Sequence, residues 1–164
     1  MSKILNDITT NSISLSECLQ RLLVIANKID NNDLAIWCSQ ELNGYKKTDG
    51  LPEYRRFKSM NIIYSGINGR YKITNQPMQP GYLSSKTLES FEDISLTENI
   101  VDVEKRKDCE DTFSRDLTFL APEVYKNTKD EFLGIGVQCT SIQQVIPQQF
   151  YTEIYTAVKT RIIN

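Results

Sequence analysis

Histidine is absent from this 164-residue sequence. That excludes a Ser-His-Asp or Cys-His nucleophile, a histidine metal site and a histidine proton shuttle, because each needs an imidazole that titrates near neutrality. Cysteine is scarce as well. Cys18, Cys38, Cys109 and Cys139 lie far apart and form no C-x-x-C pair, so neither a zinc knuckle nor a redox motif is legible. They are expected to be four reduced thiols packed as small hydrophobes in a reducing compartment. No apolar run approaches the roughly 20 residues of a membrane span, and MSKILNDITT lacks the basic start and apolar stretch of a secretory signal. A cytoplasmic protein with no membrane partner is the expectation. Positive charge is not in excess either: the net charge is -2 and the pI is near 5.3, which disfavours a dedicated nucleic-acid binder.

What remains is an ordinary globular composition, with 40% hydrophobic and 24% charged residues. A chain of this length buries about 70% of its unfolded surface and folds without metal or disulfide support. Residues 1–12 are polar and aperiodic and predict a loose arm, leaving 13–164 as one domain. Ser14-Leu15-Ser16-Glu17 fits a capping box, and Leu15, Leu19, Leu22, Leu23, Ala26 and Ile29 follow at helical steps to about Lys28. Asp30-Asn31-Asn32 turns the chain and caps a second helix with Leu34, Trp37, Cys38 and Leu42 on one face, stopped at Asn43-Gly44. Trp37 is expected in the core.

Beyond Gly44 the pattern changes. Residues 57–74 predict a β-hairpin with Ser65 to Gly69 as its loop, 76–82 a proline-rich loop, and 84–91 a short helix. Thr97 to about Cys109 and the region around Pro122 predict further helix, and Phe132 to Ile146 a strand. Pro147 opens a last helix carrying Phe150, Ile154, Val158 and Ile162 on one face. The fold class is therefore α+β: an N-terminal antiparallel helix pair packed with a small antiparallel sheet and a C-terminal helix. The final helix reaches Asn164 with no stop signal, so the chain is expected to be the N-terminal part of a longer protein.

Candidate chemistry is thin. Gly134-Ile135-Gly136 lacks the third glycine of a dinucleotide loop and the lysine of a P-loop, and predicts a bulge. Asp102, Glu104 and Lys105 have a nuclease-like spacing but sit in a helical run, so a solvated helix face is expected. No catalytic residue, metal ligand or cofactor site is assigned. One basic and aromatic cluster stands out: Tyr45, Lys46, Lys47, Tyr54, Arg55, Arg56 and Lys58, with Phe57 among them. Such a mixture can track a phosphate backbone and stack on bases, whereas lysine and arginine also protect an edge strand.

The runs Ser12 to Leu19, Trp37-Cys38-Ser39-Gln40-Glu41-Leu42-Asn43-Gly44-Tyr45 and Leu51-Pro52-Glu53-Tyr54-Arg55 resemble the AbiTii domain family, with its W-x-x-x-E-L-x-G-Y signature followed by L-P-x-Y-R. The likeness extends over roughly residues 12–125, and Val158-Lys159-Thr160-Arg161 departs from it. It implies a bacterial domain associated with abortive infection and phage defence, often at the N-terminus of longer proteins, and brings no catalytic residues. The expected function is a non-catalytic sensing or assembly module that binds protein and associates with itself. The alternatives are a histidine-free ribonuclease toxin using Tyr54, Arg55, Arg56 and a carboxylate, or a nucleic-acid binder using the same cluster without cleavage.

Overall fold

The computed structural model describes residues 6–7, 10, 12–46 and 50–164. The expected arm falls mostly outside them, although Asp7 pairs with Arg21 at 3.1 Å. The fold is α+β, and the chain forms two compact units: Met1–Phe57 with Ser95–Asp111 and Gln148–Asn164, and Lys58–Ile94 with Thr112–Pro147.

The first unit is helical. Helix α1 (Leu15–Lys28) starts where the Ser14 side chain accepts from the Glu17 amide, but Glu17 turns its carboxylate to Arg21, 2.6 Å away, rather than back to Ser14. Asp30, with φ 55°, turns the chain, and the Asn31 side chain accepts from the Leu34 amide to open α2 (Asn32–Asn43). The expected stripe is only partly inward: Leu15, Cys18, Leu19 and Ala26 are buried while Ile29 is exposed. Gly44 ends α2 with φ 84°, and a Cβ there would lie 2.9 Å from the Thr97 carbonyl oxygen. Helix α4 (Ile100–Lys107) and helix α6 (Gln148–Ile163) complete this unit. Helix α4 begins later than Thr97 because Asn99 is its cap and Leu96 instead donates its amide to the Arg55 carbonyl. Tyr151, Ile154 and Val158 form the buried face of α6, and Phe150 stacks on Phe57 with ring centroids 4.2 Å apart.

The second unit holds an antiparallel sheet of order β3-β2-β6-β5, formed by β2 (Ile62–Asn68), β3 (Tyr71–Pro77), β5 (Phe113–Asp116) and β6 (Gln138–Ile146). Helices α3 (Ser85–Glu92) and α5 (Ala121–Thr128) belong to it. Its core joins Ile62, Tyr64 and Ile142 from the sheet to Leu117, Leu120 and Val124. The short strands β1 (Arg56–Lys58) and β4 (Asp93–Ser95) each carry the chain from one unit to the other.

The hairpin differs from expectation. Its turn is Gly69-Arg70 alone, since Asn68 pairs with Tyr71, while Ser65 and Gly66 stay within β2 as a bulge. The last strand also begins later, at Gln138. Asp130 collects the amides of Phe132, Leu133 and Gly134 on its side-chain and main-chain oxygens, and this local turn takes the groups a ladder would need.

Candidate functional site

Helical spacing puts Trp37 and Glu41 one turn apart on the same face of α2. Past Gly44 the chain brings Tyr45 back over that face. Pro52 then opens a single 3-10 turn in which the Arg55 amide bonds to the Pro52 carbonyl, directing Arg55 inward. Five residues of the two sequence signatures meet there. Arg55 donates from Nη2 to Glu41 Oε2 at 2.5 Å and from Nε to Oε1 at 3.3 Å, and both side chains are 0% exposed. Tyr45 and Tyr54 each donate a hydroxyl to Glu41 Oε1 at 2.6 Å, and Trp37 Nε1 donates to the Tyr54 oxygen at 2.8 Å. The remaining Arg55 nitrogen donates to the carbonyls of Leu96 and Glu98, at 3.0 and 2.9 Å. The Arg161 guanidinium covers the Trp37 ring at 4.4 Å.

A fully desolvated ion pair is tolerable only when hydrogen bonds satisfy both groups, and here carbonyls, phenols and carboxylate do so. Burial, followed by the hydrogen bond and charge of Glu41, pushes the Tyr45 phenol far above its usual range. Burial and the Glu41 charge raise Tyr54 as well. These phenols stay protonated and donate.

The arrangement corrects the surface cluster expected from the sequence. Arg55 and Tyr45 are interior and Tyr54 is half-buried, all committed to the network, so the Arg55 guanidinium is not exposed to solvent. Lys46 and Arg56 are exposed, the latter donating from Nε to the Leu51 carbonyl at 3.1 Å. Lys47 lies outside the described residues. Lys58 belongs to the second unit, where its ammonium sits 3.5 Å from Glu92 and 3.8 Å from Asp93. Glu104 is corrected too. It is half-buried, and its Oε1 accepts the Leu15 amide at 2.7 Å. The sequence reading missed Glu41 as a buried group. The signal was there: an acid one turn beyond Trp37, on the face already assigned to the core.

The second unit presents a different feature. Between α5 and β6, Phe132, Leu133 and Ile135 are 96%, 75% and 51% exposed. Their loop is firmly built. Asp130 closes it at both ends, its amide donating to the Ile135 carbonyl, and Gly136 passes so near α5 that a Cβ would meet the Tyr125 carbonyl oxygen at 2.3 Å. Leu133 and Ile135 share a cleft of about 570 Å³ with Ile67 and Arg70 of the hairpin. Apolar side chains held out on an ordered loop are the usual mark of a contact surface.

No helix among the described residues is long and apolar enough to cross a membrane. No curated protein and no solved structure matches the chain. A family model matches residues 1–164, the full sequence: the chain belongs to the AbiTii family.

Proposed function

We propose that this chain is a non-catalytic, self-associating interaction module of a bacterial antiphage system of the abortive-infection type, working in the cytoplasm. The family name supplies the biological setting. The observation that carries the molecular part is the Phe132-Leu133-Ile135 loop, which holds three large apolar side chains in solvent on a backbone fixed by Asp130. Exposure of this kind is unfavourable in a monomer and is relieved when a second copy covers it. The strongest polar constellation, around Glu41 and Arg55, is spent on holding the helical unit together.

Sedimentation of the purified chain over a range of concentrations tests the proposal. Association is expected for the wild type, and Phe132→Ser/Leu133→Ser is expected to lower it without changing the unfolding temperature. A wild type that stays monomeric at the highest soluble concentration would remove self-association from the proposal.

A further inference from the structure

Strand β2 slips register against both neighbours at one place, Gly66: against β3 between Tyr64 and Gly66, and against β6 between Ser65 and Gly66. A Cβ at Gly66 would lie 2.1 Å from the Gln138 carbonyl oxygen, so no other residue fits this close approach. Opposite the bulge, Asn75 is held at φ 47°, with its amide donating to Ser65 Oγ at 2.9 Å and the Ser65 hydroxyl donating to Asn75 Oδ1 at 3.2 Å. Bulges and strained backbone that persist at one spot accompany binding sites more often than plain edges.

Beside the bulge lies a cleft of about 380 Å³. Arg70 and Lys72 supply positive charge, Thr74 a hydroxyl and Ile67 an apolar side chain; Thr140 and Ile73 also line it, but the Thr140 hydroxyl donates to the Ser65 carbonyl at 3.3 Å and Ile73 packs on the core. Neither cation has a carboxylate within ion-pair distance among the described residues, unlike Lys58 of the same unit. A lysine that only guards an edge strand would account for Lys72, but not for a second such cation, a hydroxyl and a doubly slipped strand around one concavity. From this we infer that the cleft binds the phosphate of a small phosphorylated molecule of nucleotide size. The guanidinium suits two phosphate oxygens, the ammonium is a point charge, the Thr74 hydroxyl donates, and Ile67 packs the organic part. The volume lies within the range of about 300–1,000 Å³ typical of small-ligand sites, and the net charge of -2 argues against a nucleic-acid polymer as occupant.

Calorimetric titration of the full chain at low salt tests this with adenine and guanine nucleotides, the matching nucleosides and inorganic phosphate. At least one nucleotide is expected to bind, and its nucleoside is not. Arg70→Gln/Lys72→Gln is expected to weaken binding by about tenfold or more, the loss of one or two charge-assisted hydrogen bonds. Arg70→Lys/Lys72→Arg is expected to retain most of it. Both positions are exposed, so the unfolding temperature of each variant should match the wild type. Any of three results overturns the inference: no compound binds at millimolar concentration, the glutamine variant binds as the wild type does, or inorganic phosphate binds as tightly as every nucleotide. Arg70 also borders the cleft of Leu133 and Ile135, so sedimentation of the same variants reads association separately from nucleotide binding.

Discussion

Glu41 and Arg55, fourteen positions apart in the chain, face each other through a two-point contact with no exposure to solvent, Nη2 to Oε2 at 2.5 Å and Nε to Oε1 at 3.3 Å. Removing either partner strands a buried charge, and such losses typically cost about 3–5 kcal/mol. That is a large part of a domain stability of about 5–15 kcal/mol. Arg55→Met and Glu41→Leu are each expected to lower the unfolding free energy by about that amount. The double variant should lose much less than the sum. Urea denaturation of the four species reads the coupling. Additive losses below about 1 kcal/mol each would mean that the pair is not the fastener described.

The glycines divide by what a methyl group would meet. Gly66→Ala and Gly136→Ala force a Cβ to within 2.1 and 2.3 Å of carbonyl oxygens, Gly44→Ala combines φ 84° with a 2.9 Å approach, Gly69→Ala meets only φ 59°, and Gly50→Ala meets nothing. Unfolding temperatures should therefore fall in that order. Gly50→Ala should match the wild type, and Gly69→Ala should lose about 1–2 kcal/mol. A Gly66→Ala protein as stable as Gly69→Ala would contradict the packing of β2 on β6.

Much of this scaffold was open to a reader of the sequence, and the parts that were not share a cause. Ser14, Asn31 and Ser84 cap their helices as their own side chains and spacing require, because capping is decided within four residues. The hairpin was legible and its turn was not, since Ser65-Gly66 has turn composition and only contact with β6 reveals a bulge. The strand at Phe113–Asp116 is too short and too polar to announce itself. For the site, the W-x-x-x-E and L-P-x-Y-R signatures marked the residues that meet, and Trp37 lies in the core as expected, but the pairing of Glu41 with Arg55 was not legible. Arginine between Tyr54 and Arg56 reads as surface until Glu41, a distant residue, is known to be buried beside it.

Alkaline stability follows from the phenols. Burial, followed by a hydrogen bond with Tyr82, pushes Tyr64 up to about 12, and burial also raises Tyr151 and Tyr155. An unfolded tyrosine titrates near about 10. The folded state thus holds protons that the unfolded state releases, so this contribution is complete below about pH 10 and is lost as pH rises toward 12. Urea midpoints should be level from pH 8 to 9.5 and fall by pH 11. Tyr64→Phe should flatten that fall, and tyrosinate absorbance should show phenols that ionise only with unfolding. An unchanged slope in Tyr64→Phe would contradict the assignment to this residue.

The start of α1 is secured twice, locally by Ser14 Oγ on the Glu17 amide at 3.1 Å and from α4 by Glu104 Oε1 on the Leu15 amide at 2.7 Å. The second acceptor is also an anion at the positive end of a helix, which adds to its effect. Glu104→Ala should therefore destabilise the fold by about 1 kcal/mol, close to the loss expected for Ser14→Ala. Glu104→Gln keeps an oxygen in place without the charge and should lose less. Hydrogen exchange separates this from a general loosening: the Leu15 amide should exchange faster in Glu104→Ala while the amides of β6 keep their relative protection. If Glu104 were only part of a solvated helix face, as its sequence context suggests, the alanine variant would match the wild type in both measurements.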